Sequence, residues 1–256
     1  MTENPLLYQA ENNVARLTIN REKERNSLTP QVISLFMAYL DQAQADEDVR
    51  AVLITGAGDK AFCSGADLGG AVTEDGKSSF QNYADLLKRL AAYPKPTVAR
   101  INGYCLAGGM GFMMACDTVV ASETAKFGTP EVNVGLFPMM IGALIFRNVL
   151  RKRAMEMVLL GEKLTAAEAL DMGLITRVVA PEKLDGVVEG ILEALVAKSP
   201  IGLKLGKEAF YNMADMPFEE AVDYLCDKLA QVVSTEDAVE GITAFIEKRK
   251  PVFKGR

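Results

Sequence analysis

The run Gly103-Tyr-Cys-Leu-Ala-Gly-Gly-Met-Gly-Phe-Met-Met-Ala-Cys-Asp117 turns a glycine-rich bend into an apolar helix, and ten residues beyond it Phe127-Gly-Thr-Pro-Glu131 sets a lone acid behind a proline. Gly108 and Gly109 carry no side chains and stand where the helix begins, so the unpaired N–H groups of its first turn face any oxygen that approaches. Pro130 donates no hydrogen bond and biases Thr129 towards extended geometry, which presents Glu131 from a rigid loop. Fixed donors beside a fixed carboxylate point to proton transfer next to a developing negative charge.

Towards the N-terminus, residues 6–9 and 14–19 alternate apolar and polar side chains across Glu11-Asn12-Asn13, which predicts an opening hairpin. Thr29 followed by Pro30 is an N-cap with proline at the first helical position, and Ile33, Met37, Leu40 and Ala43 continue at helical spacing, so a helix is expected over 30–45. Residues 51–55 and 97–101 are short, apolar and β-rich, with a helical pattern over 80–92 between them. Strands alternating with helices in this way predict stacked β-β-α or β-α units. Towards the C-terminus, Thr165-Ala-Ala-Glu168 is a capping box opening a helix that ends near Gly173, and residues 174–179 read as a strand. From Pro181 onward the pattern is helical, broken at Ser199-Pro200 and Met216-Pro217. The expected organisation is a core over residues 1–198 and a helical subdomain over 199–256, with the polar, glycine-bearing residues 69–77 as a loop bordering a ligand site.

A chain of 256 residues with 49% hydrophobic content suffices for one catalytic unit with a large core. Its longest apolar stretch, residues 134–146, is interrupted by Gly135, Pro138 and Gly142 and falls short of the roughly 20 residues of a membrane span, so it reads as a core segment. No basic start with an apolar run and a small-residue cleavage site opens the sequence, and the expected location is the cytoplasm. The absence of histidine removes Ser-His-Asp and Cys-His catalysis and the commonest ligand of zinc, copper and haem iron. Cys63, Cys105, Cys116 and Cys226 form no Cys-x-x-Cys pair and read as reduced thiols. A net charge of −6 opposes general nucleic-acid binding. The tail after Phe245 is the basic exception, open to two readings: a solvated end or a phosphate-binding surface.

Two nucleotide motifs fail on inspection. Gly103-x-x-x-x-Gly108 begins like a P-loop, but Gly109 and Met110 stand where Lys and Ser/Thr are needed, and Gly109-Met-Gly111 lacks the third glycine of a dinucleotide fingerprint. Phe62-Cys-Ser-Gly-Ala-Asp67 follows a strand and offers unhindered backbone N–H groups in a second turn; alone it fits φ freedom or close packing equally well.

Taken together, Asn26-Ser27-Leu28, Phe62 to Asp67, Gly103 to Asp117, Phe127 to Glu131, Gly135-Leu-Phe-Pro138 and Leu164-Thr-Ala-Ala-Glu-Ala169 before Gly173-Leu-Ile give the chain a resemblance, over nearly its whole length, to the crotonase superfamily, the group of enoyl-CoA hydratases and isomerases. The resemblance implies an α/β fold, a spiral of β-β-α repeats with a C-terminal helical part that builds homo-trimers, often paired into hexamers. It implies an acyl-CoA thioester substrate, with coenzyme A entering as part of that substrate and no metal or redox cofactor. By position, the backbone N–H groups of Ala66 and Gly108 would form an oxyanion hole for the thioester oxygen as it becomes an enolate, each donor being worth about 3–4 kcal/mol. Glu131 would move the proton. Arg25, Ser27, Ala61, Ser64, Asp67 and Leu68 match positions along the CoA path, Gly65, Gly109 and Pro130 the turns against the substrate, and Phe245 with Lys248 the contact to the nucleotide end, from a neighbouring subunit. Tyr104, Leu106, Leu136, Phe137 and Pro138 would border the acyl pocket, although core packing alone explains the same apolar residues. Met110, Met113, Met139 and Met140 add to that apolar character.

The departure from the family pattern is at position 111. Family hydratases carry two glutamates, one matching Glu131 and one where this chain has Gly111. Hydration shares its work between two carboxylates that orient water and exchange protons, whereas a double-bond isomerase needs one base. The dehalogenase-like branch uses an aspartate where Met139 stands and is disfavoured. Thioester hydrolysis, decarboxylation, acyl-CoA binding without turnover, and a second carboxylate supplied by Asp67 or Glu74 remain open alternatives. RNA binding through the basic tail is the least favoured reading.

Overall fold

The computed structural model describes residues 4–65 and 78–256. Ala66, Asp67, Leu68, Glu74 and the polar stretch 69–77 lie outside the described residues.

The chain opens with the expected hairpin, in which β1 (Leu6–Glu11) and β2 (Val14–Ile19) pair antiparallel with Leu6 opposite Ile19. Asn12 and Asn13 make the turn alone at φ 51° and 62°, a left-handed pair that asparagine tolerates and that matches the twist of a two-residue hairpin. In α1 (Pro30–Ala45) the Thr29 hydroxyl accepts the Val32 N–H at 3.3 Å, and Val32, Ile33, Phe36, Leu40 and Ala43 turn inward.

Three β-β-α units follow. They are β3 (Ala51–Gly56), β4 (Ala61–Cys63) and α2 (Ser79–Ala91); β5 (Thr97–Ile101), β6 (Tyr104–Leu106) and α3 (Gly108–Met114); and β7 (Thr118–Ser122), β8 (Lys126–Gly128) and, after a 3-10 turn over Pro130–Val134, α4 (Met139–Asn148). α5 (Arg151–Leu160), β9 (Leu164–Thr165), α6 (Ala166–Asp171) and β10 (Arg177–Val179) complete two sheets. The first strand of every unit enters a six-stranded sheet of order β1-β2-β3-β5-β7-β10, and the second enters a four-stranded sheet of order β4-β6-β8-β9. Each unit thus advances both sheets by one parallel strand, which is the expected spiral.

The large sheet is covered on both faces, which is why its strands read as unbroken apolar runs. Ala51, Leu53, Val98 and Val120 meet Leu184, Val188 and Leu192 of α7 (Leu184–Val196), while the alternate residues Val52, Ile54, Ala99, Ile101 and Ala121 enter the main core. In that core the Phe112 ring stands edge-on to Phe36 at 4.6 Å and stacks on Phe62 at 6.4 Å, so α1, α3 and β4 meet at one point. α8 (Pro200–Met213), α9 (Phe218–Val233) and α10 (Glu236–Ile246) pack on one another and leave Phe218, Leu229, Val233 and Phe245 exposed. Lys207 of α8 fastens this layer to the strands by donating to the Asp117 carboxylate, which also takes the Thr97 N–H at 2.7 Å.

The structure corrects two expectations. The last strand begins at Arg177 rather than 174: the Leu174 N–H closes the end of α6 on the Ala169 carbonyl at 2.9 Å, and at Thr176 the Val119 carbonyl takes the backbone N–H at 3.0 Å while the Thr176 hydroxyl takes the Val119 N–H at 3.0 Å. Residues 134–146 are not a core segment: Ile141 and Ile145, one turn apart on α4, are buried, whereas Val134 and Met139 are 75% exposed and Leu136 65%. An apolar run gives no account of which side chains find a neighbour, and here only one helical stripe does.

Candidate active site

Three short parallel strands bring the sequence motifs together. Within the four-stranded sheet Cys63 of β4 lies opposite Cys105 of β6, which lies opposite Phe127 of β8. Their carboxyl ends therefore emerge side by side, and the chain continues into Ser64-Gly65, into Ala107-Gly108 and into Thr129-Pro130-Glu131. The crevice outside the carboxyl ends of parallel strands is where such sheets bind ligands.

Close approach at this edge requires small residues. A Cβ at Gly109 would lie 2.5 Å from the Cys63 carbonyl oxygen. One at Gly65, where φ is 122°, would lie 3.0 Å from Ala107 Cβ and 3.5 Å from the Gly108 nitrogen. The Gly108 N–H thus stands beside the Gly65 turn. Ala107 makes the change from β6 to α3 at φ 50° and ψ −127°, a conformation that costs a residue with a Cβ about 1–3 kcal/mol. Its N–H donates to the Gly128 carbonyl at 2.9 Å, tying the entrance of α3 to the strand that carries Glu131.

Glu131 sits in the 3-10 turn rather than an irregular loop, half-buried, with Pro130 before it. Burial pushes its carboxyl above the usual glutamate range, opposed by a hydrogen bond from its own backbone N–H. Its Oε2 and the Thr129 hydroxyl are buried and find no hydrogen-bond partner among the described residues. A carboxylate desolvated and left with an open lone pair at a strand end is suited to accept a proton.

The neighbouring position on α3 has no room for a side chain. A Cβ at Gly111 would lie 2.2 Å from Ile141 Cγ2 and 2.9 Å from the Tyr83 hydroxyl, so this space is already filled. Tyr83, buried on α2, donates its hydroxyl proton to the Gly108 carbonyl. Burial, with the Glu131 charge adding to it, raises its pKa well above the ordinary tyrosine value and keeps the phenol protonated. Burial likewise pushes the Cys63 thiol up to about 12 and Cys105 upward, so neither supplies a thiolate. Tyr83 and Ile141 were not singled out from sequence: Tyr83 shares the helical spacing of the core residues Leu86, Leu87 and Leu90, and Ile141 lies inside an apolar run.

The other sequence candidates fall into three groups. Arg25, at φ 51°, gives its carbonyl to the Ser64 N–H at 3.0 Å, and the Ser27 hydroxyl accepts from Arg21 at 2.7 Å, so this segment lies against the β4 exit. Ala61 is buried, its carbonyl accepting from the Asn26 amide at 2.7 Å; Asn26 is itself fully buried and makes the motif's structural contact. Tyr104 and Phe137 are exposed, Leu106 is half-buried and Pro138 is buried, with the Lys163 ammonium 5.4 Å over the Tyr104 ring. Met110 and Met113 belong to the core. Phe245 and Lys248 stand exposed at the end of α10, whose helix contacts are with α8 and α9, and do not join the strand-end cluster within one chain. The basic tail folds back: the buried Asp237 carboxylate accepts the Lys254 and Gly255 N–H groups at 2.7 and 3.0 Å and the Ser199 hydroxyl at 2.7 Å.

Comparison with known proteins shows the family. The family model described as Enoyl-CoA hydratase/isomerase matches residues 9–256. The chain is 33% identical over 261 aligned residues to the short-chain-enoyl-CoA hydratase of Clostridium acetobutylicum, covering 100% of both chains. It is 34% identical to the (E)-benzylidenesuccinyl-CoA hydratase of Thauera aromatica over 98% of this chain and 99% of that one. The crystal structure of enoyl-CoA hydratase from Mycobacterium smegmatis superposes with a TM-score of 0.91 at 34% identity, covering 98% of this chain and 99% of that one. The chain therefore belongs to the enoyl-CoA hydratase/isomerase family of the crotonase superfamily, as an acyl-CoA enzyme of that family.

Proposed function

We propose that the protein moves the double bond of an enoyl-CoA thioester, with Glu131 as its one acid/base. Glu131 takes a proton from C2 of a 3-enoyl-CoA; the C2–H electrons form a C1–C2 double bond as the carbonyl π electrons move to the thioester oxygen, and when the carbonyl re-forms, the C1–C2 π electrons become the C2–C3 double bond and the C3–C4 π electrons take the same proton back from Glu131 at C4. The Gly108 N–H, together with the Ala66 N–H assigned by family resemblance, receives the thioester oxygen while it carries the dienolate charge. No metal or redox group is needed, and coenzyme A arrives with the substrate. The exposed apolar side chains of α9 and α10 favour a homo-oligomer, a trimer by family resemblance.

The observation that carries this reading is the filled space at Gly111: the desolvated Glu131 has no second acid facing it from α3, and no room for one. Hydration is the second reading, favoured by the hydratase names of the relatives, and would require Glu131 both to orient water and to deliver the proton. Ultraviolet absorbance of the conjugated thioester separates the two when a 3-enoyl-CoA and a 2-enoyl-CoA are supplied in turn. A rise with the 3-enoyl substrate, no fall with the 2-enoyl substrate and loss of signal in Glu131→Gln are expected. A fall with the 2-enoyl substrate would establish hydration; silence with both would overturn both readings.

A further inference from the structure

Tyr83 is a buried phenol with one proton to give, and it spends that proton on the site. A fully buried tyrosine hydroxyl needs a hydrogen-bond acceptor, and any carbonyl of the core would satisfy it. The one it takes belongs to Gly108. The Tyr83 hydroxyl oxygen also lies 2.9 Å from the position of a Cβ on Gly111, so it stands over two residues that share one face of α3. The backbone it grips is strained: Ala107, immediately before, holds φ 50° and ψ −127°, and such a conformation persists only where its surroundings over-determine it. Gly108 and Gly109 have no side chains to anchor, so contacts to their backbone must do so. The Ala107 N–H is held by Gly128, the carbonyl of Cys63 abuts Gly109, and the Gly108 carbonyl is held by Tyr83.

We propose that Tyr83 is a positioning residue of the acyl-thioester site: by holding the Gly108 carbonyl, its hydroxyl fixes the orientation of the glycine whose N–H faces the thioester oxygen. This rests on the acyl-CoA reading for its chemistry but not for its geometry, since the hydrogen bond exists without substrate.

Tyr83→Phe removes one oxygen and keeps the ring. Two readouts test it on the full chain: steady-state turnover of an enoyl-CoA, and the amide 1H–15N resonances of Gly108 and Gly109 without substrate. Expected are a kcat lower by about tenfold or more with KM within about twofold, and displaced or broadened glycine resonances while the rest of the spectrum is kept. Resonances unchanged from wild type would overturn the proposal, as would an undiminished kcat. If wild type turns over no thioester, displaced resonances still support the geometric role and the acyl-CoA reading alone fails. Should Tyr83→Phe fold poorly, fluorotyrosines placed at position 83 keep the shape and grade the acidity of the hydroxyl. A kcat that follows that acidity supports positioning, and a flat one overturns it.

Discussion

Adding a single methyl group at Gly111 tests the packing around this position of α3. In an ordinary helix Gly→Ala is stabilising by roughly 0.5–1 kcal/mol, because alanine loses less backbone entropy on folding. Here the new Cβ would lie 2.2 Å from Ile141 Cγ2, more than an ångström inside the ~3.5 Å at which carbon atoms settle. Ile141 is 3% exposed on α4 and β-branched, so it cannot swing aside without moving the helix. Overpacking of this kind costs about 1–3 kcal/mol, and after the helical gain is subtracted a net loss of up to about 2.5 kcal/mol remains. Urea unfolding of Gly111→Ala at fixed protein concentration should show that loss as a lower midpoint at unchanged slope. In an Ile141→Ala background, where Cγ2 is absent, the same change should regain about 1 kcal/mol or more relative to additivity. A stabilising Gly111→Ala, or perfect additivity of the pair, would refute the claim that Ile141 fills the space of a second acid.

Three further outcomes are expected. Burial raises the pKa of Glu131 in the folded state, so the carboxylate disfavours folding at neutral pH and the protonated form does not. Glu131→Gln should therefore raise Tm at pH 7, with a gain that shrinks as pH falls through the raised pKa, while kcat drops by about a thousandfold and CoA-thioester binding measured by calorimetry is kept. Ala107→Gly relieves a positive φ at the cost of a more flexible unfolded chain, so its stability in urea should stay equal to wild type or rise by up to about 1 kcal/mol, where glycine substitutions otherwise destabilise. Asp237→Ala removes the acceptor of two tail N–H groups, and hydrogen exchange at Lys254 and Gly255 should accelerate at least tenfold without a change in the core amides.

Local signals were legible where one short segment decides its own shape. Thr29-Pro30 starts α1, Asn12-Asn13 turns the hairpin, and Thr165 with Glu168 closes a capping box that opens α6. Glu131 was legible because Pro130 and the glycine run before α3 each carry a backbone consequence. The two-residue β9 was not, since a strand that short exists only through its partner β8. Tyr83 and Ile141 escaped for a related reason. Each has the spacing of a core residue on its own helix, and their meeting at Gly111 joins α2, α3 and α4, which no single periodicity contains. The exposure of Val134, Leu136 and Met139 was invisible because hydrophobicity measures what a side chain avoids and not what covers it.

The arrangement of the site follows from how little of it depends on side chains. Gly108 follows β6 and Glu131 follows β8, two strands paired in parallel, so the separation of the proposed donor and the proposed base is set by strand register rather than by loop conformation. The Ala107–Gly128 hydrogen bond continues that register one step past β6 and carries it into α3. A shift of the acid relative to the donors would thus require a shift of the ladder, which the Phe127 and Cys105 side chains, both fully buried, oppose. In this chain Ile141 and Tyr83, from α4 and α2, occupy the space beside Gly111 of α3, so that position has no room for a longer side chain.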